Sequence, residues 1–276
     1  MAGAATAGSV REALGASIDA LSAVGVETPS LDAEVLLAEA TGWDRAALAA
    51  GPEREVSPAA ARIFGEMVRR RLRREPVAYI VGRKGFRHIE LEVDRRVLIP
   101  RPETELLVEL ALELRPRTIL DVGTGSGAIA LAIADELPEC EVTATDSSEA
   151  ALEVARANAQ RLGLAERVRF LGGTVPEGEE FALTVANLPY VAAAEWPSLQ
   201  PEVTEWEPRE ALLAGPDGLD AIRALVPQVG TGTLALEVGA GQSGAVVGLL
   251  RDAGFVDLQT RCDLAEIERI VWGSRG

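Results

Sequence analysis

Thr118-Ile119-Leu120-Asp121-Val122-Gly123-Thr124-Gly125-Ser126-Gly127 is the stretch that decides the fold. It starts as a short apolar run of strand length, Thr118 to Val122. It ends as a glycine-rich turn into a helix-patterned segment, Gly127 to Leu137. Glycines at such a junction let the backbone turn sharply and approach a ligand at the helix N-terminus. Glu141 to Asp146 reads as the next strand. Asp146 closes it about 20 residues beyond the loop, where a carboxylate can hold the two hydroxyls of a ribose.

Downstream the alternation continues. A helix over Ser148 to Leu162 starts at a serine cap. Val168 to Leu171, Phe181 to Ala186 and Thr233 to Val238 are predicted strands, with helices around Leu219 to Val226 and Ala245 to Ala253. Val256 to Thr260 and Ile267 to Trp272 are expected to close the sheet as an antiparallel pair. This pattern predicts a doubly wound α/β sheet.

Upstream the period is helical. Val10, Leu14, Ile18 and Leu21 recur at helical spacing, Asp32 to Ala40 follows the start signals Pro29 and Ser30, and Ser57-Pro58 opens a third segment. Residues 1–75 therefore read as a small helical bundle, bounded by the break at Glu75-Pro76. Over 76–100 the period changes: Ile89, Leu91 and Val93 alternate with Glu90, Glu92 and Asp94. With Tyr79-Ile80-Val81 before it, that segment is expected to be a β-hairpin linker, and 101–276 the α/β domain. The latter opens with Ile99-Pro100-Arg101-Pro102-Glu103-Thr104-Glu105 and a helix from Leu106 to Leu114.

Composition removes whole classes of function. No run of about 18 apolar residues occurs, so no membrane-spanning helix is expected. The opening Met1-Ala2-Gly3-Ala4-Ala5 has neither the basic start nor the long apolar core of a secretory signal. Two cysteines, Cys140 and Cys262, make neither a zinc site nor a disulfide framework, and their scarcity fits a reducing cytoplasm. A single histidine, His88, excludes chemistry that needs several. A net charge of −16 repels a phosphate backbone. No metal and no direct nucleic-acid contact are expected, and the chain is expected to be a monomer.

Two cofactors compete for the glycine loop. Gly123, Gly125 and Ala128 satisfy the dinucleotide pattern G-x-G-x-x-G/A, which admits a nicotinamide oxidoreductase. S-adenosylmethionine is favoured by the run G-x-G-x-G with Asp121 just before it, by the loop's place after a complete helical domain, and by a second motif. That motif is Asn187-Leu188-Pro189-Tyr190, at the end of the predicted strand Ala182 to Ala186. In an open α/β sheet ligands lie outside the carboxyl ends of the strands, where the loop, Asp146 and Asn187 all converge.

Methylating an amide or adenine nitrogen requires a delocalised lone pair to be held in line with the methyl group. The Asn187 side-chain oxygen can accept one hydrogen bond from such a nitrogen, and the Leu188 carbonyl another. Pro189 fixes the local backbone and Tyr190 offers a flat face to a planar group. Orientation is then the dominant contribution, and no strong general base is required. Read only as punctuation, the same tetrapeptide is a turn after a strand.

Over nearly its whole length the chain resembles the HemK/PrmC-type protein-(glutamine-N5) methyltransferases, which modify peptide chain release factors. The resemblance is carried by Glu75-Pro76-Val77-Ala78-Tyr79-Ile80 with Gly82, by Leu98 to Glu105, by Asp121 to Gly127, by Glu207-Pro208-Arg209, by Gly215 to Asp220 and by Leu236-Glu237-Val238-Gly239. It implies a class I S-adenosylmethionine-dependent methyltransferase fold, with a seven-stranded sheet, an N-terminal helical domain that recognises substrate and a hairpin linker. It implies methylation of the glutamine in the release factor's Gly-Gly-Gln motif. Gly123, Thr124, Gly125, Ser126, Gly127, Asp146, Thr174, Val175 and Asn187 are the expected cofactor-binding residues. Asn187, Leu188, Pro189 and Tyr190 are the expected catalytic and substrate-binding ones.

The chain departs from the family pattern in two places. Leu188 replaces the first proline of Asn-Pro-Pro-Tyr, and Thr174-Val175 stands where an acid and a bulky residue are usual. Asn-Leu-Pro-Tyr also resembles the ribosomal RNA adenine dimethyltransferases, so the tetrapeptide by itself leaves a ribosomal-protein glutamine or a nucleic-acid adenine open as substrate. A non-catalytic adaptor that kept the fold is a further alternative. Arg69, Arg70, Arg71, Arg73 and Arg74 read as a solvated helix end or as a contact for an acidic partner. Trp196 and Trp206 read as lining a substrate groove or covering a sheet edge, and His88 as a surface residue.

Overall fold

A computed structural model describes residues 8–276. They form two compact units, the first ending at Gly82 and the second running from Arg83 to Gly276.

The first unit is helical: α1 (Val10–Ala23), α2 (Pro29–Thr41), α3 (Arg45–Ala50), α4 (Pro58–Leu72) and α5 (Val77–Val81). Ser9 and Glu12 start α1 with a reciprocal capping box, and the Ser57 side chain caps α4. The core joins Val10, Leu36, Leu37, Leu48, Phe64 and Ile80. Two expectations are corrected here. The short α3 was not predicted; the Asp44 side chain caps it and Leu48 anchors it in the core. Tyr79-Ile80-Val81 is a helical turn, not a strand of a hairpin. Gly82, at φ 81°, ends that turn, and burial of Tyr79 and Ile80 overrides their β-propensity.

Part of the basic run is turned inward, while Arg69 and Arg73 stay exposed at the helix end. Arg71, 5% exposed, donates to the Asp32 carboxylate at 2.6 Å. Arg70 pairs with Glu75, and Arg74 donates to the carbonyls of Val24 and Gly25.

In the second unit a hairpin of β1 (Arg83–Phe86) and β2 (Ile89–Glu92) precedes α6 (Glu105–Leu114). The hairpin thus lies in 83–92 and belongs to the second unit, instead of forming a separate segment over 76–100. The elements β3 (Thr118–Val122), α7 (Ala128–Glu136), β4 (Glu141–Asp146), α8 (Glu149–Arg161), β5 (Val168–Gly172) and β6 (Leu183–Ala186) then alternate. After the short helices α9 (Pro201–Thr204) and α10 (Asp220–Leu225) come β7 (Gly232–Glu237), α11 (Ser243–Asp252), β8 (Val256–Cys262) and β9 (Glu268–Arg275).

The sheet has seven strands in the order β5-β4-β3-β6-β7-β9-β8. The first five are parallel, and β9 pairs antiparallel with both β7 and β8. The order reverses between β3 and β6, which makes the ends of those strands the crevice in which such sheets bind ligands. The inner strands are buried along most of their length, as a sheet covered on both faces requires.

Candidate active site

The glycine loop is held against β4 from below. The N–H groups of Gly123 and Thr124 both donate to the Thr145 carbonyl, at 2.8 and 2.9 Å. One residue further the Gly125 N–H donates to Asp146 Oδ2 at 2.9 Å, and Asp146 Oδ1 accepts from the Ser148 N–H at 2.9 Å. The Asp146 carboxylate is therefore oriented by two backbone amides and keeps lone pairs for further donors. Gly123 stands at φ 76°, and a Cβ there would lie 3.3 Å from the Leu188 side chain. The loop and the Asn187-Leu188-Pro189 segment can approach one another only because that side chain is absent.

Asp121 lies beneath the loop, fully buried. Its Oδ2 accepts from the Thr124 hydroxyl at 2.6 Å and from the Ala130 N–H at 3.2 Å. Its Oδ1 is buried with no partner. Burial raises this carboxyl to about 7, against the pull of its two hydrogen bonds. Asn158, also buried, donates to the Ser126 carbonyl and bonds both the N–H and the carbonyl of Glu92, so it ties the loop to β2.

Together these residues line one cavity of about 190 Å³. Gly123, Thr124, Gly125 and Ser126 form one wall, Asp146 and Thr174 another, and Asn187, Leu188 and Pro189 a third. Three expected site residues are not on it. Gly127 caps α7 and sits over Leu131, where a Cβ would lie 2.8 Å from the leucine side chain; its role is packing. Val175 packs against the apolar core instead. Tyr190 is half-buried outside the cavity, its carbonyl accepting from Gln242 Nε2 at 2.9 Å. Thr174 reaches the cavity wall while its hydroxyl donates to Gln228 Oε1 at 2.7 Å.

Asn187 is held by a residue from the other side of the site. Its Nδ2 donates to Thr104 Oγ1 at 3.0 Å, and Thr104 is 3% exposed. Beside Thr104 lies Glu237, the last residue of β7 and 2% exposed, whose carboxyl the Thr104 hydroxyl holds down. Burial raises the Glu237 carboxyl to about 7; Glu103 pushes the same way, and Thr104, Arg269 and Arg101 oppose it. Burial and the nearby Glu237 also raise the Tyr190 phenol to about 12, so Tyr190 stays protonated near neutral pH.

Residues 12–82 match the PrmC N-terminal domain, and residues 102–199 match the methyltransferase small domain. A release factor glutamine methyltransferase of Caulobacter vibrioides is 41% identical over 94% of this chain and 93% of its own. One of Moorella thermoacetica is 47% identical over 89% of this chain and 90% of its own. The chain belongs to the release factor glutamine methyltransferase family.

Among solved structures, the hMettl16 catalytic domain in complex with a 3′UTR hairpin aligns at a TM-score of 0.55 and 15% identity. That alignment covers 67% of this chain and 75% of the other, and it supports the class I methyltransferase fold. The cofactor of this family member is S-adenosylmethionine, and the site fits it. The glycine loop, Asp146 and the Asn187 segment border the same cavity, with backbone amides, a carboxylate and carbonyl oxygens available to a polar adenosine-bearing ligand. No cluster of potential metal ligands occurs among the described residues.

Asn158, Thr104 and Glu237 are the site residues that reading for chemistry passes over, while Asp121 enters that reading only as the acid before the loop. Thr104 and Glu237 do lie in strings that carry the resemblance, Leu98 to Glu105 and Leu236 to Gly239. Nothing in the sequence signals Asn158.

Proposed function

We propose that the Asn187-Leu188 segment presents the side-chain amide of a release-factor glutamine to the methyl donor. The observation that carries this reading is a pair of open acceptors on one cavity wall. The Asn187 nitrogen is engaged by Thr104, which leaves Oδ1 to accept. Among the described residues no backbone or side-chain group donates to the Leu188 carbonyl. Two acceptors at adjacent positions match the two N–H groups of a primary amide. S-adenosylmethionine supplies an activated methyl group when bound, held by Gly123, Gly125 and Asp146.

Orientation is the main contribution of this chain. With both amide hydrogens drawn aside, the nitrogen lone pair is aimed at the methyl carbon. Transfer of the methyl group from the sulfonium sulfur to this nitrogen would leave a neutral thioether and make the nitrogen strongly acidic, so that its proton would depart along one of the two hydrogen bonds towards water. No general base is needed, in keeping with a protonated Tyr190 and a His88 whose side chain is 72% exposed on the hairpin.

The chain methylates the release-factor glutamine, and the finer partners follow as part of the proposal. It acts as a monomer in the cytoplasm without direct nucleic-acid contact. The net charge of −16 supports protein over nucleic acid as substrate. No helix among the described residues is long and apolar enough to cross a membrane. Replacing Asn187 by Ala tests the mechanism: kcat falls on the order of 10²-fold or more, as for loss of one preorganised hydrogen-bonding group, while cofactor affinity changes little. Equal activity would return the tetrapeptide to the status of a turn.

A further inference from the structure

Thr104 and Glu237 lie outside every role assigned so far, yet both are almost fully buried directly behind Asn187. An asparagine side chain can present either its oxygen or its nitrogen to a ligand, and only the oxygen can accept from a substrate amide. A threonine hydroxyl has one hydrogen to give and also accepts. An ionised carboxylate only accepts. Stacked in the order Glu237, Thr104, Asn187, these groups have one consistent direction. The Thr104 oxygen accepts from Asn187 Nδ2 at 3.0 Å, so the Thr104 hydrogen is free for the adjacent Glu237 carboxylate and Asn187 Oδ1 is left for the cavity that Asn187 lines.

We propose that Thr104 and Glu237 are positioning residues that hold the Asn187 amide oxygen-outward, so that the site selects a hydrogen-bond donor as its substrate. The proposal rests on the reading of Asn187 given above. Neither residue touches the reacting atoms. The late-strand position of Glu237 then has a chemical reason, since β7 adjoins β6, whose end carries Asn187. The second Glu237 oxygen, Oε2, is buried without a partner. A carboxylic side chain kept there at such a cost is hard to account for by packing alone.

The test is a double-mutant cycle with Thr104→Val, Thr104→Ser and Asn187→Ala, assayed at about pH 8, where Glu237 is ionised. The substrate is a release-factor peptide that contains Gly-Gly-Gln. Thr104→Val keeps the shape and removes the hydroxyl. Its kcat is expected to fall about 10- to 100-fold, with cofactor Kd within about twofold of wild type. Thr104→Ser, which restores the hydroxyl, recovers most of the loss. In the Asn187→Ala background Thr104→Val costs little more, because both act through the same oxygen. A Thr104→Val enzyme with wild-type kcat, a loss that Ser does not restore, or losses that multiply in the double variant would each overturn the proposal. If Asn187→Ala itself keeps full activity, the reading of Asn187 fails first; if it loses activity and Thr104→Val does not, only the positioning role fails. Circular dichroism checks folding, and Thr104→Ala replaces Thr104→Val in the cycle should the valine variant not fold.

Discussion

The Gly125 N–H and the Asp146 carboxylate are 2.9 Å apart, so the turn after β3 is latched to the last residue of β4. The acid assigned by the proposal to the ribose also shapes the loop assigned to the rest of the cofactor. Asp146→Ala therefore removes an acceptor and a loop restraint at once. Binding of S-adenosylmethionine is expected to weaken by roughly 1–3 kcal/mol in calorimetric titration, the cost of leaving buried polar groups unpaired. Unchanged affinity would remove Asp146 from the site.

Leu188→Pro brings in the residue usual in the family. The Leu188 N–H makes no hydrogen bond among the described residues, so proline takes nothing from the ladder. The carbonyl stays in place. Activity is expected to hold within about threefold or to rise, since proline restricts the backbone before any substrate arrives. Abolished turnover in a folded Leu188→Pro protein would show that the main-chain role of this position is wrong.

Asp121 makes stability depend on pH. Burial raises its carboxyl to about 7 in the fold, against 3.8 for an exposed aspartate. Between those values the native chain holds a proton that the unfolded chain has lost, so stability falls as pH rises through the window. The penalty is fully present above about pH 7 and absent below about pH 4. Asp121→Asn removes this titration. Its unfolding free energy from urea titration should decline less than that of wild type between about pH 5 and pH 8, with a difference on the order of a few kcal/mol. Parallel declines would mean that Asp121 is ionised throughout.

In the helical unit the Arg71–Asp32 pair is buried on both sides. Removing one partner leaves a charge without compensation. Arg71→Ala is expected to destabilise that unit by about 3–5 kcal/mol in denaturant unfolding. A loss below about 1 kcal/mol would fit a solvated pair instead.

The sequence was most legible where chemistry and local pattern agree. Glycines next to an acid at the right spacing predicted the loop and Asp146, and the alternation of apolar runs predicted the sheet down to its antiparallel closing pair. It was least legible where tertiary contacts decide. Tyr79-Ile80-Val81 has strand composition but is helical because it is capped and buried in the bundle. The arginines of α4 look like a surface patch because nothing local reveals that Asp32, 39 residues away, is the partner of Arg71. Glu207 matched the family without a chemical reason; in the fold it accepts from the Ile99 N–H and from Arg101, and so pins the segment before Thr104. Trp196 and Trp206 each stack on an arginine, Arg209 and Arg95, and neither lines the cavity.

The central claim is that this chain places a methyl group on the glutamine side chain of the Gly-Gly-Gln motif. Incubation with isotopically labelled S-adenosylmethionine and a full-length release factor, followed by tandem mass spectrometry, tests it most directly. One labelled methyl per release factor is expected, located on that glutamine and lost when Asn187 is replaced by Ala. A label on another residue, or label entering ribosomal RNA adenines while the release factor stays unmodified, would contradict it.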